Sequence, residues 1–162
     1  MKRWLAILCV AVLAGCGFQL RTAAKLPFDT VYVAAADGGI ALELKRNIQA
    51  GTDAKVVDDA KKAEALLQFT REERQKIILS LDAAGRVREF QLRYIVGFRV
   101  VDNKGGVYVP QSTIELSRDV TYSDADVLAK ESEEQLLYRD MQNDMVQQIM
   151  RRLAAARRPA RA

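Results

Sequence analysis

Residues 89–100 read EFQLRYIVGFRV, and their alternation decides the fold. Phe90, Leu92, Tyr94, Val96, Phe98 and Val100 occupy every second position, with Glu89, Gln91, Arg93 and Arg99 between them. Alternate side chains of a strand point to opposite faces. This strand therefore covers a core with one face and meets water or a partner with the other. A slip of one residue would expose all six apolar side chains, so the pairing register is strongly specified.

The turns on either side extend the strand into a meander. Asp82-Ala83-Ala84-Gly85 precedes it and Asp102-Asn103-Lys104-Gly105-Gly106 follows, both rich in residues that suit tight turns. Upstream, Leu67 and Phe69 lead through a charged patch, Arg71 to Lys76, into Ile77, Leu79 and Leu81 at alternate positions. Downstream, Val107 to Val120 forms a third long strand, with Ile114 and Leu116 in its middle and Pro110 marking an edge or a bulge.

Further out, the period becomes helical. Thr30 to Ala34 has the β-branched and aromatic content of a first strand. Asp37 can cap a helix in which Ile40, Ala41, Leu44 and Ile48 share a face and Gly51 marks the stop. Thr52 to Val57 reads as a possible short strand, and Lys61 to Leu67 as the entry to the long one. After Val120, Ser123 or Asp124 can cap a second helix. Leu137, Met141, Met145, Ile149 and Leu153 step by four, with Leu128, Val146 and Met150 beside them. Such a stripe is a core face. Pro159 ends the helix, and residues 159–162 are expected to fray. The fold class expected is α/β in the α+β sense, with two helices and a mostly antiparallel sheet.

Composition sets the class of protein. Of 162 residues, 49% are apolar or aromatic and 28% are charged, enough for one ordinary core. The formal charge of +4 comes from the end of the chain, where Arg151, Arg152, Arg157, Arg158 and Arg161 gather with no acid among them. That tail can touch anionic groups, although arginine in a last turn also complements the helix dipole.

The chain opens with Lys2, Arg3 and an apolar run from Trp4 to Ala14, a pattern of signal-peptide type too short to span a bilayer. Leu13-Ala14-Gly15-Cys16 then resembles the lipobox of bacterial lipoproteins. The resemblance implies removal of residues 1–15, with a thioether-linked diacylglycerol and an N-acyl chain on Cys16. Several long chains at roughly 0.8 kcal/mol per buried methylene hold a protein at the membrane. The alternative is an ordinary buried or disulfide cysteine. Cys9 falls inside the removed segment, which leaves Cys16 no partner within the chain. The domain expected spans residues 16–158. An exported location disfavours nucleic acid as a partner, and Gly17 after the lipidated cysteine favours the outer membrane.

The order of these features carries a family resemblance. The anchor, Gly17-Phe18-Gln19-Leu20-Arg21, the hairpin Gly85-Arg86-Val87-Arg88-Glu89-Phe90-Gln91-Leu92, Leu128-Ala129-Lys130-Glu131-Ser132-Glu133 and a closing helix ending in Arg151-Arg152-Leu153 resemble the LptE family of lipopolysaccharide-assembly lipoproteins. The resemblance implies two helices packed on one face of a four-stranded sheet. It also implies an outer-membrane lipoprotein that plugs the β-barrel translocon LptD and helps lipopolysaccharide reach the outer leaflet. In that family, basic residues near the hairpin end and in the Ala-Lys segment are associated with lipopolysaccharide. Lys130 falls on the second. The first position holds Ala83 here, leaving Arg86 and Arg88 as neighbouring candidates. The structural alternative for Lys130 is an ion pair with Glu134, one helical turn on.

Enzymatic classes find little support. The chain has no histidine, the commonest general base and metal ligand. It has no glycine-rich phosphate loop, nucleophile elbow or cysteine cluster. Asp124 with Asp126 sits where a helix cap belongs, and Asp58 with Asp59 in a loop. No catalytic residue, metal site or cofactor beyond the covalent lipid is expected. The remaining alternative to the translocon plug is a general envelope lipoprotein, a scaffold for another outer-membrane or cell-wall complex.

Overall fold

The computed structural model describes residues 24–34, 39–122 and 127–159. The expected signal segment, Cys16 and the possible caps Asp37, Ser123 and Asp124 lie outside them. Five strands form one mixed sheet: β1 (Thr30–Ala34), β2 (Lys55–Val56), β3 (Ala65–Leu81), β4 (Val87–Val101) and β5 (Val107–Thr121), in the order β2-β1-β3-β4-β5. Helix α1 (Gly39–Gly51) connects β1 to β2, and α2 (Val127–Ala155) follows β5.

The meander forms as its turns predict, with β3, β4 and β5 antiparallel. Gly85 and Gly105 adopt positive φ in the two turns, the backbone conformation for which their glycines are suited. Pro110 lies in a bulge on the edge strand: Phe98 pairs with Ser112 and Val100 with Val109, so Pro110 and Gln111 oppose Arg99 alone. The four-stranded, mostly antiparallel expectation needs correction at the other edge. There β1 runs parallel to both β2 and β3, and the two-residue β2 adds a fifth strand. Two residues carry no periodicity to read.

Both helices turn their apolar faces into the core. From α1 come Ile40, Ala41, Leu44 and Ile48; from α2 come Met141, Met145, Val146, Ile149 and Leu153. They bury Leu92, Tyr94, Val96, Phe98 and Val100 of β4 together with Val31, Val33 and Leu67. One member of the β4 set and one of the α2 set do not join. Phe90 is only half-buried, and Leu128 is 80% exposed because the start of α2 overhangs the core. From Glu89 to Arg99 the second face of β4 is polar except at Gly97 and at Ile95, which is buried between its cross-strand neighbours Glu73 and Glu115. These carboxylates pair with Arg71 and Arg93. Long polar side chains cover apolar surface with their stems in this way.

One strand has an unequal neighbourhood. β1 pairs with β3 only from Ala65 to Gln68, whereas β4 follows β3 from Leu66 to Leu81. Beyond Gln68 the second edge of β3 has no strand partner among the described residues. Ile77, Ile78, Leu79 and Leu81, which extend the β3 pattern, are accordingly exposed.

Candidate functional site

Where β3 loses its neighbour, its helix-facing positions become charged. After a bulge at Thr70, Glu72, Arg74 and Lys76 stand opposite Val96, Tyr94 and Leu92, the core-facing positions of β4. Each finds a specific partner. The Tyr94 hydroxyl donates to Glu72 at 2.7 Å, and Arg74 lies over both Tyr94 and Tyr138 while donating to Gln142 at 2.9 Å. The Tyr138 hydroxyl donates to the Gln75 carbonyl at 2.9 Å. Burial pushes the Tyr94 phenol well above its usual range, and the Glu72 carboxylate adds to the shift. Desolvation, with the Glu134 charge, raises Tyr138 too.

This seam opens into a cleft between the first turns of α2 and the end of the β3–β4 hairpin. Lys76 reaches Glu134 at 2.6 Å and lies 4.4 Å from the Phe90 ring centroid. Lys130 reaches Glu133 at 2.8 Å. Lys130 therefore does not take the expected Glu134 partner, which serves Lys76 across the layer. A cavity of about 90 Å³ is lined by both lysines above Phe90, Leu92, Val120 and Tyr122. A wider groove of about 640 Å³ adjoins it at Lys130 and Tyr122 and is lined by Arg88, Ser80 and Glu89.

The three candidate cations separate on this geometry. Lys130 and Arg88 share the wider groove. Arg86 lines neither cavity; its guanidinium turns back on Asp82 at 2.8 Å. The Arg86 backbone N–H, aided by its side chain and by the Ala84 N–H, holds the Asp82 carboxyl below the usual carboxylate range. Lys130 keeps only 23% of its side chain exposed against 67% for Arg86, so Lys130 is the better shielded charge. Its pair with Glu133 contributes only a few tenths of a kcal/mol, too little to hold it against a stronger anion. The sequence reading missed Lys76. Its own stretch gave no signal, because the alternation of Ile77, Leu79 and Leu81 puts Lys76 on the polar face.

The opposite end of the molecule is built differently. The Ala24 N–H donates to Gly51, and Arg158 donates to the Pro27 carbonyl at 2.6 Å, so the start of the described chain and the end of α2 meet there. β4 spans fifteen residues, and at about 3.3 Å per residue its two ends are roughly 45 Å apart along the strand. Asp59, one of the paired aspartates, caps the short 3-10 turn Ala60–Lys62 by accepting from the Lys61 N–H at 2.9 Å. Among the described residues, no group of three or more Cys, His, Asp or Glu side chains is placed to hold a metal ion, and no helix is long and apolar enough to cross a membrane.

The sheet and the two helices on one face define a two-layer α+β domain with a cleft of lysines and carboxylates at its hairpin end. Residues 28–153 match the LptE family, described as lipopolysaccharide-assembly, and the chain belongs to that family. The LPS-assembly lipoproteins LptE of Photorhabdus laumondii and Pectobacterium atrosepticum are each 24% identical to it. Those alignments cover 90% of this chain and 81% and 80% of the relatives. Among solved structures, the uncharacterized lipoprotein B of Nitrosomonas europaea is 45% identical, with a TM-score of 0.74 over 86% of this chain and 91% of that one. The rare lipoprotein B of Shewanella oneidensis, 24% identical with a TM-score of 0.66 over 78% of this chain and 94% of its own, shows the same fold.

Proposed function

We propose that the protein is an outer-membrane lipoprotein of lipopolysaccharide assembly, tethered through acylated Cys16, with residues 16–158 as its domain. In this reading it plugs the LptD β-barrel, helps that barrel assemble and offers lipopolysaccharide a cleft that presents Lys130 and Arg88. The observation that carries the reading is the placement of this cleft in a chain of the LptE family. It lies toward the hairpin end of β4, roughly 30–40 Å along the strand from the end near which residue 24 lies. Lipid A phosphates are suitable ligands because a shielded cation forms strong charge-assisted hydrogen bonds with phosphate.

Affinity purification of the tagged protein from detergent-solubilised outer membranes tests the plug. The expected result is recovery of a large β-barrel in equal amount, and mass spectrometry of the N-terminal peptide showing acylated Cys16. Recovery of the protein without a barrel, or with a different envelope complex, would contradict the plug. An unmodified Cys16 would contradict the tether.

A further inference from the structure

We infer that Lys76 and Lys130 form one phosphate clamp that Glu133 and Glu134 hold closed, so that a phosphorylated lipid enters by displacing two carboxylates. The inference rests on the proposed lipopolysaccharide reading of the cleft and adds to it a second cation and an internal competitor. Both lysines line the same small cavity, one from the sheet and one from the helix. Each is neutralised by a different glutamate of α2: Lys76 by Glu134 at 2.6 Å, and Lys130 by Glu133 at 2.8 Å.

An ammonium group has three donors, and a single carboxylate does not exhaust them. A phosphate monoester brings nearly two negative charges and three acceptor oxygens, so one group can serve both lysines at once. The glutamate pairs are partly exposed, and such pairs are weak enough to exchange. Glu131 also lines the cavity. A phosphate dianion that displaces Glu133 and Glu134 brings enough charge and enough acceptors for both lysines, whereas a carboxylate monoanion brings half the charge. The apolar floor formed by Phe90, Leu92, Val120 and Tyr122 strengthens the electrostatics by excluding water.

The test uses the full mature protein in detergent micelles, titrated with diphosphoryl lipid A and with lipid A stripped of phosphate. Lys76→Gln is expected to weaken diphosphoryl lipid A by about fivefold and to leave the stripped form unchanged. Glu134→Gln is expected to do the reverse, tightening diphosphoryl lipid A by about two- to threefold. A purely structural Lys76–Glu134 pair would not give opposite signs for its two halves. Excess inorganic phosphate assigns the source: displacement of lipid A means the phosphate group alone is read, and persistence means the lipid-borne group is needed. Unchanged affinity in Lys76→Gln beside weakened affinity in Lys130→Glu would overturn the clamp and leave the cleft reading intact. No effect of Lys130→Glu would overturn that underlying reading. If Lys76→Gln melts early, Glu134→Gln decides alone, and weaker binding there would overturn the competitor role.

Discussion

The two halves of β4 lie in one strand and live in different surroundings. From Leu92 to Val100 its core-facing side chains are buried, and beside Val100 the β3 strand has β1 as a further neighbour. At Phe90 the same alternation continues, but β3 alongside is an open edge, the ring is half-buried, and a lysine and a tyrosine flank it. The covered half is occupied by packing. The open edge of β3 carries the charged seam beside Val96, Tyr94 and Leu92, and the cleft opens where that seam reaches Phe90.

Truncation along β4 should expose this division most strongly. Phe98→Ala removes a fully buried ring and is expected to cost about 3–5 kcal/mol in denaturant melts. Phe90→Ala, in the open half, should cost no more than about half as much, since a half-buried ring loses less transfer energy. Equal losses would erase the distinction between the halves.

A smaller effect is expected at the Thr70 bulge, just past the point where β3 loses β1. A Cβ on Gly97 would sit 2.7 Å from the Thr70 hydroxyl and 3.2 Å from the Arg71 Cβ. Gly97→Ala should therefore destabilise by about 1–3 kcal/mol, and adding Thr70→Ala should recover part of the loss. Additive losses in the double variant would show that Thr70 is not the obstacle.

The seam should be visible in alkali. The fold favours neutral Tyr94, whose phenol is raised from its ordinary value of 10.0. Its contribution is complete below that value and is lost as pH climbs toward the folded-state value. Melting temperatures measured above pH 10 should thus fall less steeply in Tyr94→Phe than in the wild type. Parallel curves would mean that the phenol does not couple to folding. The smallest effect belongs to the outer face: a double-mutant cycle on Arg93 and Glu115 should return no more than about 1 kcal/mol, as for other exposed pairs.

Legibility in the sequence follows the same line between halves. The β3–β5 meander and the stripe of α2 were readable because burial imposes a period on residues close in sequence, as from Leu92 to Val100 and from Met141 to Leu153. Leu128 misled because it keeps the helical period after the helix has passed the edge of the core. β2 was too short to show a period. In the cleft, Lys130 and Arg88 were legible as candidates by family resemblance alone. Lys76 was not, because its partner Glu134 is 58 residues away and only the fold brings them together. Arg86 looked equivalent to Arg88 in the sequence, yet the turn that includes Asp82 claims it.

The central claim is that the open half binds lipopolysaccharide without holding the fold together. Lipopolysaccharide binding by Lys130→Glu with Arg88→Glu, measured beside the melting temperature, tests it most directly, with Lys130→Glu and Arg86→Glu as the comparison pair. The account predicts about tenfold or greater loss of binding in the first pair, a smaller loss in the second, and melting temperatures close to wild type in both. Unchanged binding in the first pair, or a collapse of its melting temperature, would contradict the account.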